Sequence, residues 1–86
     1  MGKVVLPPSS VLENSVVEAV KALGGKATTR QIHDLVVTEL RLTEEQVTVI
    51  HEGNRTELEY RLAWARTRAK KKGLLVPAGI KTWSLP

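Results

Sequence analysis

Apolar residues recur at helical spacing in three stretches of the chain and at strand spacing near its end. Leu12, Val16, Ala19, Val20 and Leu23 stand three or four apart, or side by side on one helical face. Ser10 with Glu13 has the form of a capping box, and Gly24-Gly25 supplies a stop, so the pattern predicts an amphipathic helix beginning at Ser9 or Ser10. Before it, Pro7 and Pro8 disfavour helix on their amino side, which makes residues 1–8 a short extended lead-in. Lys26 and Ala27 have room for a stub of strand. Thr28 with Gln31 then opens a second helix whose stripe is Ile32, Leu35, Val36 and Leu40.

Thr43 with Gln46 repeats the start signal for a short third segment carrying Val47 and Ile50, and residues 51–55 read as a loop. Thr56 with Glu59 is a further capping box, from which helical sequence continues to Gly73. Leu74-Leu75-Val76, a turn at Pro77-Ala78-Gly79 and Ile80 to Leu85 form a hairpin signal. The fold class expected is mainly α within α+β: a winged helix-turn-helix of three to four helices followed by a C-terminal β-hairpin wing. Residues 9–86 form its single domain.

Length and composition narrow the function. A chain of 86 residues buries only about 60–65% of its unfolded surface, too little core for a cofactor-binding enzyme. No cofactor is expected. Without cysteine there is no disulfide framework and no thiolate zinc site. No apolar run reaches the roughly 18 residues that span a bilayer, and the stretch before Pro7 is too short for a secretory signal. These features point to a cytoplasmic protein with no membrane partner. The charge is uneven: residues 1–54 hold five Lys/Arg against seven Asp/Glu, and residues 55–86 hold eight against two. A local excess of six positive charges predicts attraction to a polyanion.

The long helix concentrates that charge. At about 100° per residue, Leu58, Leu62, Ala65 and Ala69 share one sector, which must face the core. The adjoining sector holds Arg61, Trp64, Arg68 and Lys71, with Tyr60 and Thr67 beside them. Such a face can place guanidinium groups on phosphates or guanine edges, and hydroxyls or rings against bases. Arg55 stands at the helix entrance, Lys72 at its exit and Lys81 on the hairpin. Each has a plainer reading as well. Arg61 is four residues from Glu57, Lys70-Lys71-Lys72 suits the negative end of the helix dipole, and Trp64 has the size of a wedge against the hairpin. Trp83 is expected to cover the core while Lys81 faces away from it.

Other constellations are weak. His33 and His51 have no evident carboxylate partner and no metal-ligand spacing, so they read as surface groups. Gly24-Gly25-Lys26 fails the phosphate-loop pattern, because Val20 stands where the upstream glycine belongs and Ala27 follows the lysine. The carboxylates gather at helix starts, where capping and the dipole account for them. No residue set suits catalysis, so the chain is not expected to be an enzyme.

Arg61-Leu62-Ala63-Trp64-Ala65-Arg66, then Lys70-Lys71-Lys72-Gly73-Leu74-Leu75, then Gly79-Ile80-Lys81-Thr82-Trp83-Ser84-Leu85 resemble the amino-terminal winged-helix domain of Mrr-like restriction proteins. The resemblance spans nearly the whole chain, with Ala69 in place of a larger apolar residue and Lys72 in place of a small one. It implies a module that binds double-stranded DNA, modified or plain, in bacterial defence, ahead of a nuclease or other effector domain in the full-length protein. The DNA-contacting residues would be Arg55, Tyr60, Arg61, Trp64, Thr67, Arg68, Lys71, Lys72 and Lys81, on a protein associated with the nucleoid when bound. The alternative is a protein-interaction or dimerisation module built on the same helix and hairpin edge.

Overall fold

In a computed structural model, which describes residues 4–86, two glycines and three capping boxes divide the chain. The elements are α1 (Ser9–Ala22), β1 (Lys26–Thr28), α2 (Thr29–Glu39), α3 (Glu44–Thr48), β2 (Ile50–Glu52), β3 (Arg55–Thr56), α4 (Glu57–Lys71), β4 (Val76–Gly79) and β5 (Thr82–Ser84). Thr28, Thr43 and Thr56 each accept a hydrogen bond from the backbone N–H three residues on, and the side chains of Gln31, Gln46 and Glu59 return it. α1 starts differently. Its N-cap is Pro8 and no side chain caps it, so the capping box expected of Ser10 and Glu13 does not form. The helix already begins at Ser9, which places Ser10 inside the first turn, and Glu13 is drawn elsewhere by an ion pair. Gly24 and Gly25, at φ +92° and +95°, end α1 in a conformation that disfavours residues with a Cβ.

β1, β5 and β4 form an antiparallel sheet in that spatial order. With α1, α2 and α4 it makes the α+β arrangement of a winged helix, into which α3 and the β2–β3 hairpin are inserted between α2 and α4. That hairpin replaces the loop expected at residues 51–55. Its turn at Gly53-Asn54, with Gly53 at φ +56°, is a hairpin turn whose flanking strands lack an alternating apolar pattern. The wing turns later than expected. β4 runs through Pro77 to Gly79, and Ile80-Lys81 is the turn. Pro77 is tolerated because β4 is an edge strand, where a missing N–H breaks no ladder.

One core joins these elements. Leu12, Val16, Val20, Ile32, Val36, Leu58, Leu62, Ala65, Ala69 and Leu75 are all fully buried, and Leu6 of the lead-in joins them. The four predicted residues of α4 are its buried ones. Alanine at 65 and 69 lets α1 pack closely on α4. Leu23 is 38% exposed, contrary to the stripe expected of α1, because it lies beyond the last helical turn. Ile50 is likewise 59% exposed, on the inserted hairpin. Trp83 and Leu85 pack against the core from the sheet. Residues 1–3 of the expected lead-in lie outside the described residues. The rest of it is tied down by Gln46, whose side-chain N–H donates to the Val5 carbonyl at 2.9 Å. No helix among the described residues is long and apolar enough to cross a membrane.

Candidate nucleic-acid interface

Burying Leu58, Leu62, Ala65 and Ala69 leaves α4 with two flanks and an outer face. On the flank nearer α1, Ser9, Glu57, Tyr60, Arg61, Trp64 and Arg68 line a shallow groove of about 440 Å³. Trp64 is 45% exposed there, and no hairpin residue lines the groove, so the wedge reading of this tryptophan fails. At 100° per residue it stands too far round the helix from the core stripe to reach the sheet.

Of the two arginines on this flank, Arg61 is paired within the chain and Arg68 has no ion-pair partner among the described residues. Arg61 Nε donates to Glu57 Oε2 at 3.0 Å, and His51 Nδ1 shares the other carboxylate oxygen at 2.9 Å. These bonds, from Arg61 first and His51 second, hold the Glu57 carboxyl below its ordinary pKa. The His51 ring stacks on Tyr60 with centroids 3.9 Å apart, and the Arg55 guanidinium lies 5.6 Å from the same ring centre. One face of Tyr60 is therefore covered. Both histidines have carboxylate partners after all, since His33 Nδ1 lies 3.1 Å from Asp34 Oδ1. The His51 pairing is hidden from the sequence because His51 reaches Glu57 only through the inserted hairpin, whereas the partner of His33 is the next residue in the chain. No cluster of three or more metal-ligating side chains occurs among the described residues.

Lys72 is also paired within the chain, although its side chain stays mostly exposed. Its ammonium meets Glu13 Oε1 at 2.6 Å, which explains how Glu13 tolerates burial on α1. Lys71 is exposed in the last turn, next to the exposed Lys70, and the Thr67 hydroxyl donates to the Ala63 carbonyl at 3.0 Å. These three occupy the outer face of α4, away from the core stripe.

The opposite flank holds residues that the sequence reading passed over. Thr29, Arg30 and His33 from α2, Arg55 from β3, Glu59, Leu62 and Arg66 from α4, and Lys81 from the wing turn surround a cleft of about 450 Å³. Lys81 does not lie along a strand face as expected. It sits at φ +48° in the turn, and its carbonyl accepts the Thr29 N–H at 2.8 Å, which clips the wing to the start of α2. Ile80 beside it is 92% exposed. Arg30 is partly engaged, with Nε 3.2 Å from Asp34 Oδ2. Glu59 is the cleft's only carboxylate, and its oxygen is already held by the Thr56 N–H at 2.8 Å.

Arg66 is the unusual member. Its Nε is buried without a hydrogen-bond partner. Burial, and secondarily the charge of Arg55, draw its pKa below the ordinary value. The guanidinium still remains protonated at neutral pH, in surroundings that disfavour its charge. Its position at the end of the Arg61 to Arg66 run was visible in the sequence. Its role was not, because only the fold brings α2 and the wing turn against it.

Among known families, the model of the Mrr N-terminal domain matches residues 12–86. No curated protein and no solved structure matches the chain.

Proposed function

The chain belongs to the Mrr N-terminal domain family, and from that premise we propose that it is a duplex-DNA-binding module. The observation that carries the reading is the convergence of Arg30, Arg55, Arg66 and Lys81, from four different elements, on one concave side of α4. Cations that converge from separate elements offer a polyanion several contacts at fixed spacing, which scattered surface lysines do not. In this reading α4 enters the major groove with its outer face, where Thr67, Lys70 and Lys71 stand. Arg55 and Lys81 hold the backbone at the two ends of the cleft. Arg68, Trp64 and Tyr60 border the interface from the α1 side, while Arg61 and Lys72 are engaged by Glu57 and Glu13. The effector chemistry, cleavage of foreign or modified DNA in a restriction system, belongs to another domain of the full-length protein, and the module acts in the cytoplasm on the nucleoid.

Phosphate neutralisation supplies most of the affinity. With about four to six contacts, the log of the association constant should fall with the log of salt at a slope of roughly −4 to −5. Titrating the chain into a labelled mixed-sequence duplex, plain and cytosine-modified, across a salt series tests this. A slope near zero, or no binding at low salt, overturns the reading. A second reading, a protein-interaction or homodimer surface, is favoured by the half-exposed Trp64 between Tyr60, Arg61 and Arg68, residue types that dominate binding hot spots. Light scattering that finds a salt-insensitive dimer without DNA affinity would put it first.

A further inference from the structure

We propose that the cleft between α2, α4 and the wing turn is an anchor site for one phosphate group, which in the DNA-bound module is a single backbone phosphate. The chemistry of the site stands on the cleft alone, and only the source of the phosphate rests on the DNA-binding reading.

Four cations line the cleft against one carboxylate. That carboxylate, Glu59, already accepts the Thr56 N–H, and Arg30 already shares Asp34. Arg55, Arg66 and Lys81 form no ion pair among the described residues, so the concavity keeps an excess of positive charge over the one negative charge of Glu59. Such an arrangement is unfavourable by itself, because like charges repel and the Arg66 Nε has lost water without gaining an acceptor. An anion in the cleft offsets the repulsion between the charges. The donor-bearing residues come from separate elements around the cleft: Arg66 from the middle of α4, Arg55 from β3, Lys81 from the wing turn and Thr29 from the start of α2. A carboxylate, with two oxygens in one plane, is satisfied by a single arginine fork. Donors arrayed around a centre suit the oxygens of a tetrahedral phosphate.

The clip between the Lys81 carbonyl and the Thr29 N–H fixes the spacing of the two walls, so the site is largely formed before the ligand arrives. Arg66 also has a plainer role, since its aliphatic stem covers part of the core beside Leu62. The test must separate stem from charge. Arg66→Met keeps the stem and removes the guanidinium.

Thermal unfolding of the 86-residue chain and of Arg66→Met is compared in phosphate and in chloride at matched ionic strength, at tens of millimolar phosphate. The expected result is a phosphate-specific rise in Tm of about 4–8 °C for the native chain and at most a quarter of that for the variant. Equal shifts in both would reduce the effect to general salting of the surface and overturn the anchor. Arg55→Ala, on the exposed hairpin, carries the same comparison where Arg66→Met does not fold. A DNA titration of the same proteins separates the two proposals. Phosphate-specific stabilisation without salt-sensitive DNA binding leaves the anchor standing as a site for free phosphate and sinks the DNA reading. Salt-sensitive DNA binding that Arg66→Met weakens less than twofold does the reverse.

Discussion

The two flanks of α4 carry comparable numbers of cations and dispose of them in opposite ways. Towards α1, Arg61 is bonded to Glu57, and Lys72, one residue past the helix, is bonded to Glu13. Those two charges are matched inside the domain. The first lies within α4, where His51 of the inserted hairpin shares the same Glu57, and the second ties the end of α4 to α1. Arg68 on this side has no ion-pair partner among the described residues. Towards α2 and the wing, Arg55, Arg66 and Lys81 share a cleft with a single carboxylate, Glu59, one oxygen of which accepts the Thr56 N–H. The helix is basic throughout its second half, and unpaired cations are more numerous on the side of α2 and the wing than towards α1, where Arg68 stands without an ion-pair partner. Net charge alone would not have distinguished the two flanks, because what matters to a partner is which cations lack a partner already.

The most damaging change is one that removes the spine common to both. Leu62 is fully buried and also forms part of the cleft floor. Leu62→Ala should cost about 2–5 kcal/mol, a large share of the roughly 4–13 kcal/mol that a domain of this size possesses. A fall in Tm of at least about 10 °C is expected by circular dichroism, with both flanks lost together in DNA titration. A fall of a degree or two would mean that α4 is held by its caps and ion pairs rather than by its stripe.

A smaller and more selective contrast comes from scanning the flanks one against the other. Arg55→Ala with Lys81→Ala should weaken duplex binding about tenfold and lower the salt slope by about 2. The pair Arg61→Ala and Arg68→Ala should lower the slope by less than half of that. The reverse ranking would move the interface to the α1 side, where the sequence pattern alone had placed it. Lys72→Ala completes the scan. It removes the cation of Glu13, but the Lys72 side chain is 63% exposed, so the change is expected to lower stability by about 1 kcal/mol at most while leaving DNA affinity unchanged. An affinity loss at constant Tm would show that Lys72 reaches the DNA in spite of Glu13.

Sequence reading found what is local and missed what is assembled. Capping boxes at Thr28, Thr43 and Thr56 rest on contacts three residues apart, and all of them form. The buried stripe of α4 follows from helical geometry, and it too is as expected. The Ser10 box failed because Glu13 is drawn to Lys72, 59 positions away in the chain, and no local pattern records that. The β2–β3 hairpin was hidden because its strands are exposed on both sides and so carry no alternation. For the candidate site, Arg55 and Lys81 were named from their places at the helix entrance and on the wing. Arg30 and Arg66 were passed over because their common neighbour is the cleft, which exists only once α2, α4 and the wing turn are packed together.

The smallest expected effect concerns acid, and it bears on both flanks. Asp34, Glu57 and Glu59 have pKa values below their ordinary ones. The first causes are the hydrogen bonds from His33, from Arg61 and from the Thr56 backbone, respectively. A carboxylate whose folded pKa is depressed contributes stability that is fully present above its unfolded value. That contribution is lost as pH falls through the folded value. Unfolded values of 4.5 for the glutamates and 3.8 for the aspartate place the onset near pH 5, so Tm should be flat from neutrality to about that pH and decline below it. Glu59→Gln retains the side-chain oxygen of the capping box and removes the charge. Its acid decline should be shallower than that of the native chain, and its duplex binding at neutral pH slightly tighter, since the cleft loses its one negative charge. Glu57→Gln frees Arg61 beside the already unpaired Arg68 on the other side, so a gain in affinity larger than that of Glu59→Gln would show that the DNA lies on the α1 flank.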